Sequence, residues 1–163
     1  SYPGGLIDPT RFIPLWTYCC GQNRQLVPCL ISSKTEYERW LRQAENTLQS
    51  SKRDMRSGDY NWSCFKAHQA GESAIKAMLY GIGFSAVGHS LVRLLGDLEA
   101  KGIPADEVKG CARILDRHYI PTRYANAHAE GAPFEFYDLP TAEEAIGCAT
   151  RVIKFVQGAA GIG

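Results

Sequence analysis

The sequence predicts an all-α fold, a five-helix antiparallel up-and-down bundle preceded by an irregular N-terminal strap. Three observations carry that prediction. Five segments after residue 33 repeat apolar side chains at helical spacing. Most of the connections between them are short, as neighbouring antiparallel helices require. The chain of 163 residues is 45% hydrophobic and 21% charged, enough apolar material for one buried core and too much for a disordered chain.

Residues 1–33 read as the strap. Pro3, Pro9, Pro14 and Pro28, with Gly4, Gly5 and Gly21 between them, oppose a helix there. Phe12, Ile13, Leu15 and Trp16 make the segment too apolar for a free linker, so it is expected to pack along the body, with a short hairpin near Leu26 and Val27. Residues 34–158 form the helical domain, and the glycine-rich residues 159–163 a frayed tail. No targeting segment opens the chain and the first methionine is Met55, so it reads as part of a longer protein.

The first helix opens on Ser33-Lys34-Thr35-Glu36, which has capping-box spacing. Tyr37, Trp40, Leu41, Ala44, Leu48 and Met55 then recur at helical spacing until Gly58. A second helix starts near Asp59 and runs to Gly81, with Ala67, Ala70, Ala74 and Met78 on one face. A short third carries Leu91, Leu94, Leu95 and Leu98 and stops before Gly102. Pro104 opens a fourth, whose stripe is Val108, Ala112, Leu115 and Tyr119 and which Pro121 ends. In the fifth, Thr141 and Glu144 again have capping-box spacing, ahead of Ala142, Ala145, Ile146, Ala149, Val152, Ile153 and Val156. The longest break, residues 120–140, holds Pro121, Pro133, Pro140 and several aromatic side chains, a composition that suits a functional loop.

Eighteen Lys and Arg against seventeen Asp and Glu leave a net charge of +1, which excludes any function resting on bulk charge. No apolar run is long enough to span a bilayer, so no membrane partner is expected. Six cysteines, Cys19, Cys20, Cys29, Cys64, Cys111 and Cys148, include no Cys-x-x-Cys pair, and the four histidines lack zinc-ligand spacing, so neither a metal nor a tightly bound cofactor is expected. The cysteines read as reduced thiols. P-loop and Rossmann fingerprints are missing.

Charge is nevertheless uneven. Lys109, Arg113 and Arg117 repeat every four residues, and His118, Arg123 and His128 prolong the cationic stretch. Five acids and no Lys or Arg follow between Ala129 and Thr150. Such a row can hold phosphate through charge-assisted hydrogen bonds. Equally, it can be a solvated helix face with Asp106 and Asp116 as local partners. His68 and His118, placed within helices, read as hydrogen-bonded or surface side chains, and His89 before Ser90 as part of a helix start.

Four blocks in order complete the pattern: Trp40 to Glu45, Cys64 to Ala77, His89-Ser90-Leu91, and Leu115 to Tyr124 with its Tyr-Ile-Pro-Thr-Arg-Tyr run. Together they resemble the HEPN domain (higher eukaryotes and prokaryotes nucleotide-binding) over residues 35–157, and most closely the C-terminal HEPN domains of the sacsin type. The resemblance implies a homodimer with a basic cleft for the phosphates of GTP or ATP. Arg123 would be the first phosphate contact, Lys66, Arg113, Arg117 and His128 supporting ones, and Tyr119 a base-stacking or ribose partner. It also implies a place at the end of a large co-chaperone that regulates the seventy-kilodalton heat-shock system, and a cytoplasmic location, with a mitochondrial association open through the parent protein. Many HEPN domains are metal-independent endoribonucleases with Arg followed at four to six residues by His. Arg123 and His128 keep that spacing, although Tyr124 stands where the family has a polar residue. The alternatives are therefore an endoribonuclease using Arg123 and His128, with RNA as the partner, or a purely structural dimer held through Asn126 and its loop.

Overall fold

The computed structural model describes residues 31–161, and among them all regular structure is helical. Five helices follow in order: α1 Lys34–Ser57, α2 Tyr60–Gly81, α3 Leu91–Ala100, α4 Asp106–Asp116 and α5 Leu139–Ala159. Two single 3-10 turns, Ala125–Ala127 and Pro133–Phe136, lie in the long break before α5. The expected strap through residue 30, its hairpin and the last two residues of the tail lie outside the described residues.

The bundle is organised around α2, which packs against each of the other four helices. Its buried face is built from Ala67, Ala70, Gly71, Ala74 and Ala77 with Ile75, Met78 and Leu79. Small side chains let neighbouring backbones approach closely, and the larger Leu94, Leu95, Leu98, Leu115, Val152 and Val156 fill the space they leave. At Gly71 an added Cβ would stand 2.7 Å from Leu91 Cδ2 and 3.0 Å from Leu115 Cδ1. The start of α3 and the end of α4 are thus seated directly on α2, a contact that the candidate site depends on.

Several local expectations are corrected. Neither capping box forms. The backbone N–H of Ser33 donates to the Gly81 carbonyl at 2.8 Å, as does that of Ser32, so the group that Glu36 would have to reach is taken. Glu36 pairs with Arg39 instead. The fifth helix begins earlier than Thr141: Asp138 caps it, accepting from the Thr141 N–H at 3.0 Å and from the Thr141 hydroxyl. The fourth helix stops at Asp116, which leaves His118 and Tyr119 in the turn beyond it. Pro121 cannot donate to the Arg117 carbonyl and biases Ile120 away from helical backbone, so the chain tightens into three-residue bonds at His118 and Tyr119. The end of α1 is as expected: Gly58 takes φ +83°, and the Asp59 N–H closes on the Asp54 carbonyl at 2.9 Å.

Candidate functional site

The turn from Arg117 to His128 lies against the first half of α2 and the entry to α3. Its backbone is pinned from within the bundle: Asn61 Nδ2 donates to the Thr122 carbonyl at 3.0 Å, and Thr122 Oγ1 to the His118 carbonyl at 2.7 Å. Arg123 is held by its own turn, with Nε and Nη2 donating to the Tyr119 carbonyl at 3.1 and 2.6 Å. Its guanidinium lies 4.1 Å from the Phe65 ring centre, 4.9 Å from that of Tyr119 and 5.0 Å from that of Tyr124. These are cation–π distances. No carboxylate among the described residues pairs with Arg123, and none pairs with the exposed Arg113 or Arg117.

Of the six residues expected to hold phosphate, the structure brings Arg123 and Tyr119 into contact. Lys66 turns the other way, to Asp54 of α1 at 2.6 Å, where it ties α1 to α2. Lys109 is also committed, to Glu99 at 2.7 Å and Asp106 at 2.8 Å. Asp106 is thus the local partner expected for this stripe, whereas Asp116 is not. Its carboxylate accepts from Ser90 Oγ at 2.8 Å and from the Leu91 and Val92 N–H groups at 2.7 and 3.2 Å, so it caps α3 from the end of α4. Burial alone would raise the Asp116 carboxyl, but hydrogen bonds from His68, Leu91, Ser90 and Val92 outweigh it and hold it below the usual carboxylate range. His128 Nε2 donates to the Pro121 carbonyl at 2.7 Å, and its ring stacks on Phe136 at 4.2 Å. Among the described residues no hydrogen bond or ring contact joins His128 to Arg123.

Reading the sequence missed a polar cluster beside Tyr119. His68 is fully buried, and its Nε2 donates to the His89 carbonyl at 2.9 Å while Nδ1 accepts from Gln69 at 3.2 Å. Glu72, one helical turn later and also buried, takes Lys76 Nζ at 2.8 Å and His89 Nδ1 at 3.2 Å. The His89 ring stacks on Tyr119 with centres 4.8 Å apart, and His68 lies 5.0 Å from the same ring. The signal was present as His68, Glu72 and Lys76 at four-residue steps on α2. Their partners, His89 and Asp116, come from elements that only the packing at Gly71 brings near.

Buried thiols contribute no nucleophile. Burial, with the nearby charges of Asp138 and Glu144, pushes Cys64 up to about 12, and burial with the hydrogen bond to Cys111 does the same for Cys148. Among the described residues no group of three His, Cys, Asp or Glu side chains could hold a metal ion, and no helix is long and apolar enough to cross a membrane. Around the turn the surface is aromatic, with Tyr124 48%, Phe136 53% and Phe134 69% exposed.

The described residues thus form an all-α bundle with an arginine-centred aromatic surface beyond the fourth helix. The family model of the HEPN domain matches residues 37–159, and the chain belongs to that family. Solved structures agree. A protein of Thermus thermophilus is 37% identical, with a TM-score of 0.73 over 76% of this chain and 98% of its own. An archaeal HEPN homologue is 35% identical, with a TM-score of 0.65 over 76% of this chain and 97% of its own. A HEPN domain protein of Thermotoga maritima is 30% identical, with a TM-score of 0.59 over 74% of this chain and 95% of its own. No curated protein matches.

Proposed function

We propose that this HEPN domain binds the phosphates of a nucleoside triphosphate, GTP or ATP, and homodimerises, as the terminal module of a large sacsin-like co-chaperone in the cytoplasm. The observation that supports the reading best is the setting of Arg123. Its positive charge has no carboxylate partner among the described residues, its orientation is fixed by the Tyr119 carbonyl, and aromatic rings border it. A fixed, uncompensated guanidinium is suited to a phosphate oxygen, and the exposed Tyr124 ring to a base. Arg113 on α4 and Arg117 just beyond it, both exposed, add positive charge ahead of the turn. Among the alternatives, the geometry at His128 supports binding rather than RNA cleavage: Nε2 is spent on a backbone carbonyl, and the ring is held flat against Phe136.

Arg123→Ala is expected to weaken GTP affinity about tenfold or more, the usual worth of a charge-assisted hydrogen bond, while the helical circular dichroism stays unchanged. Equal affinity in calorimetric titrations of the two proteins would remove Arg123 from the site.

A further inference from the structure

The cluster beside Tyr119 contains a histidine that is anchored through one ring nitrogen and exposed at the other. Glu72 is buried on α2 and can only accept hydrogen bonds as a carboxylate, so His89 Nδ1, 3.2 Å from both of its oxygens, must carry the proton between them. The ring plane is fixed a second time by the stack on Tyr119, at 4.8 Å and 17°. The backbone is fixed a third time, by His68 Nε2 on the His89 carbonyl at 2.9 Å. Yet the side chain is 56% exposed, and Nε2 has no hydrogen-bond partner among the described residues. A surface imidazole with one nitrogen anchored to a buried carboxylate and the other aimed at solvent is the arrangement used where a histidine meets a ligand.

Its neighbours indicate which ligand. Tyr119 is the shared wall: the His89 ring centre lies 4.8 Å and the Arg123 guanidinium 4.9 Å from the Tyr119 ring centre. The His89 ring and the Arg123 guanidinium are therefore no more than about 10 Å apart, within the length of one nucleotide. From α2, His89 faces Glu72, whose charge is already matched by Lys76 at 2.8 Å. His68, bonded through the backbone, does not point its nitrogens at the ring. From the other side come Tyr119, with Arg123 against it, and Asp116, which is occupied with the N–H groups of Leu91 and Val92.

We propose that His89 is a proton-switched phosphate ligand of the nucleotide site, held in position by the buried Glu72. Protonated, Nε2 donates to a phosphate oxygen; neutral, it presents a lone pair that repels one. Nucleoside phosphate binding then takes up a proton at His89, and affinity rises as the pH falls. The inference rests on the nucleotide reading above.

The test is GTP titration of wild type and His89→Gln between about pH 8 and about pH 6, an interval in which imidazoles in general can change charge. The nucleotide's own phosphate also changes charge in this interval, and the His89→Gln titration measures that background. Wild-type affinity is expected to rise about tenfold more than that of the variant, the worth of one charge-assisted hydrogen bond gained on protonation. Identical profiles in two folded proteins overturn the proposal and leave the nucleotide reading standing. No GTP binding at any pH overturns both. In the unmodified protein, nuclear magnetic resonance of the His89 ring protons gives an independent check: the titration midpoint moves up in saturating GTP, and an unmoved midpoint overturns the proposal without any variant.

Discussion

His118 is the side chain that most constrains how this domain responds to acid. It is only 8% exposed, and its Nδ1 is buried without a hydrogen-bond partner. Burial, reinforced by the neighbouring His68 and Arg117, lowers its pKa to about 4 from 6.5. The unfolded chain therefore takes the proton first, and the unfolded state is favoured as the pH falls from 6.5 towards 4. Above that window the His118 contribution is fully present; below it up to about 3 kcal/mol is lost. Urea unfolding at neutral pH and at about pH 5 should differ by about 2 kcal/mol from this residue, and His118→Phe should remove that part of the slope. An unaltered slope in the variant would assign the acid sensitivity elsewhere. From sequence alone His118 was a helical histidine; its burial follows from the early end of α4, which placed it in the turn against Tyr137.

At the scale of elements, five helices were legible because their apolar periods are long and their stops are strong. Gly58, Gly81 and Gly102 mark helix ends that the structure keeps to within a residue or two. The starts were less legible. Capping-box spacing at Ser33 and Thr141 is a local signal, and tertiary or neighbouring groups overruled it: the Gly81 carbonyl at one start, Asp138 at the other. Two glycines inside helices carry opposite predictions. Gly96 on α3 is exposed with nothing within 4 Å of an added Cβ, so Gly96→Ala should raise the unfolding free energy by about 1 kcal/mol through helix propensity. At Gly71 the same change forces Leu91 and Leu115 off α2 and should destabilise by about 1–3 kcal/mol. Chemical denaturation of both variants checks the pair. A neutral Gly71→Ala would mean that α3 and α4 are not seated where Gly71 places them.

For the whole molecule, the bundle follows from one small-faced helix, α2, around which the other four are arranged. That much is written in Ala67, Ala70, Gly71, Ala74 and Ala77. The site is only half written. Tyr119 and Arg123 are near neighbours in sequence, and their contact is local, so a reading along the chain could pair them. Lys66 could not be assigned that way, because whether it faces Arg123 or Asp54 depends on how α1 lies against α2. The His89–Glu72 contact likewise requires α3 to return over α2, a consequence of packing rather than of spacing. On the proposed function, Arg123 holds a nucleotide phosphate on a dimer. The most direct measurement is a calorimetric titration with GTP, ATP and inorganic phosphate at two salt concentrations, beside sedimentation of the same protein. The expected result is a dimer that binds nucleotide more tightly than phosphate and less tightly at higher salt. A dimer that binds neither, or that binds nucleotide no better than phosphate, would contradict it.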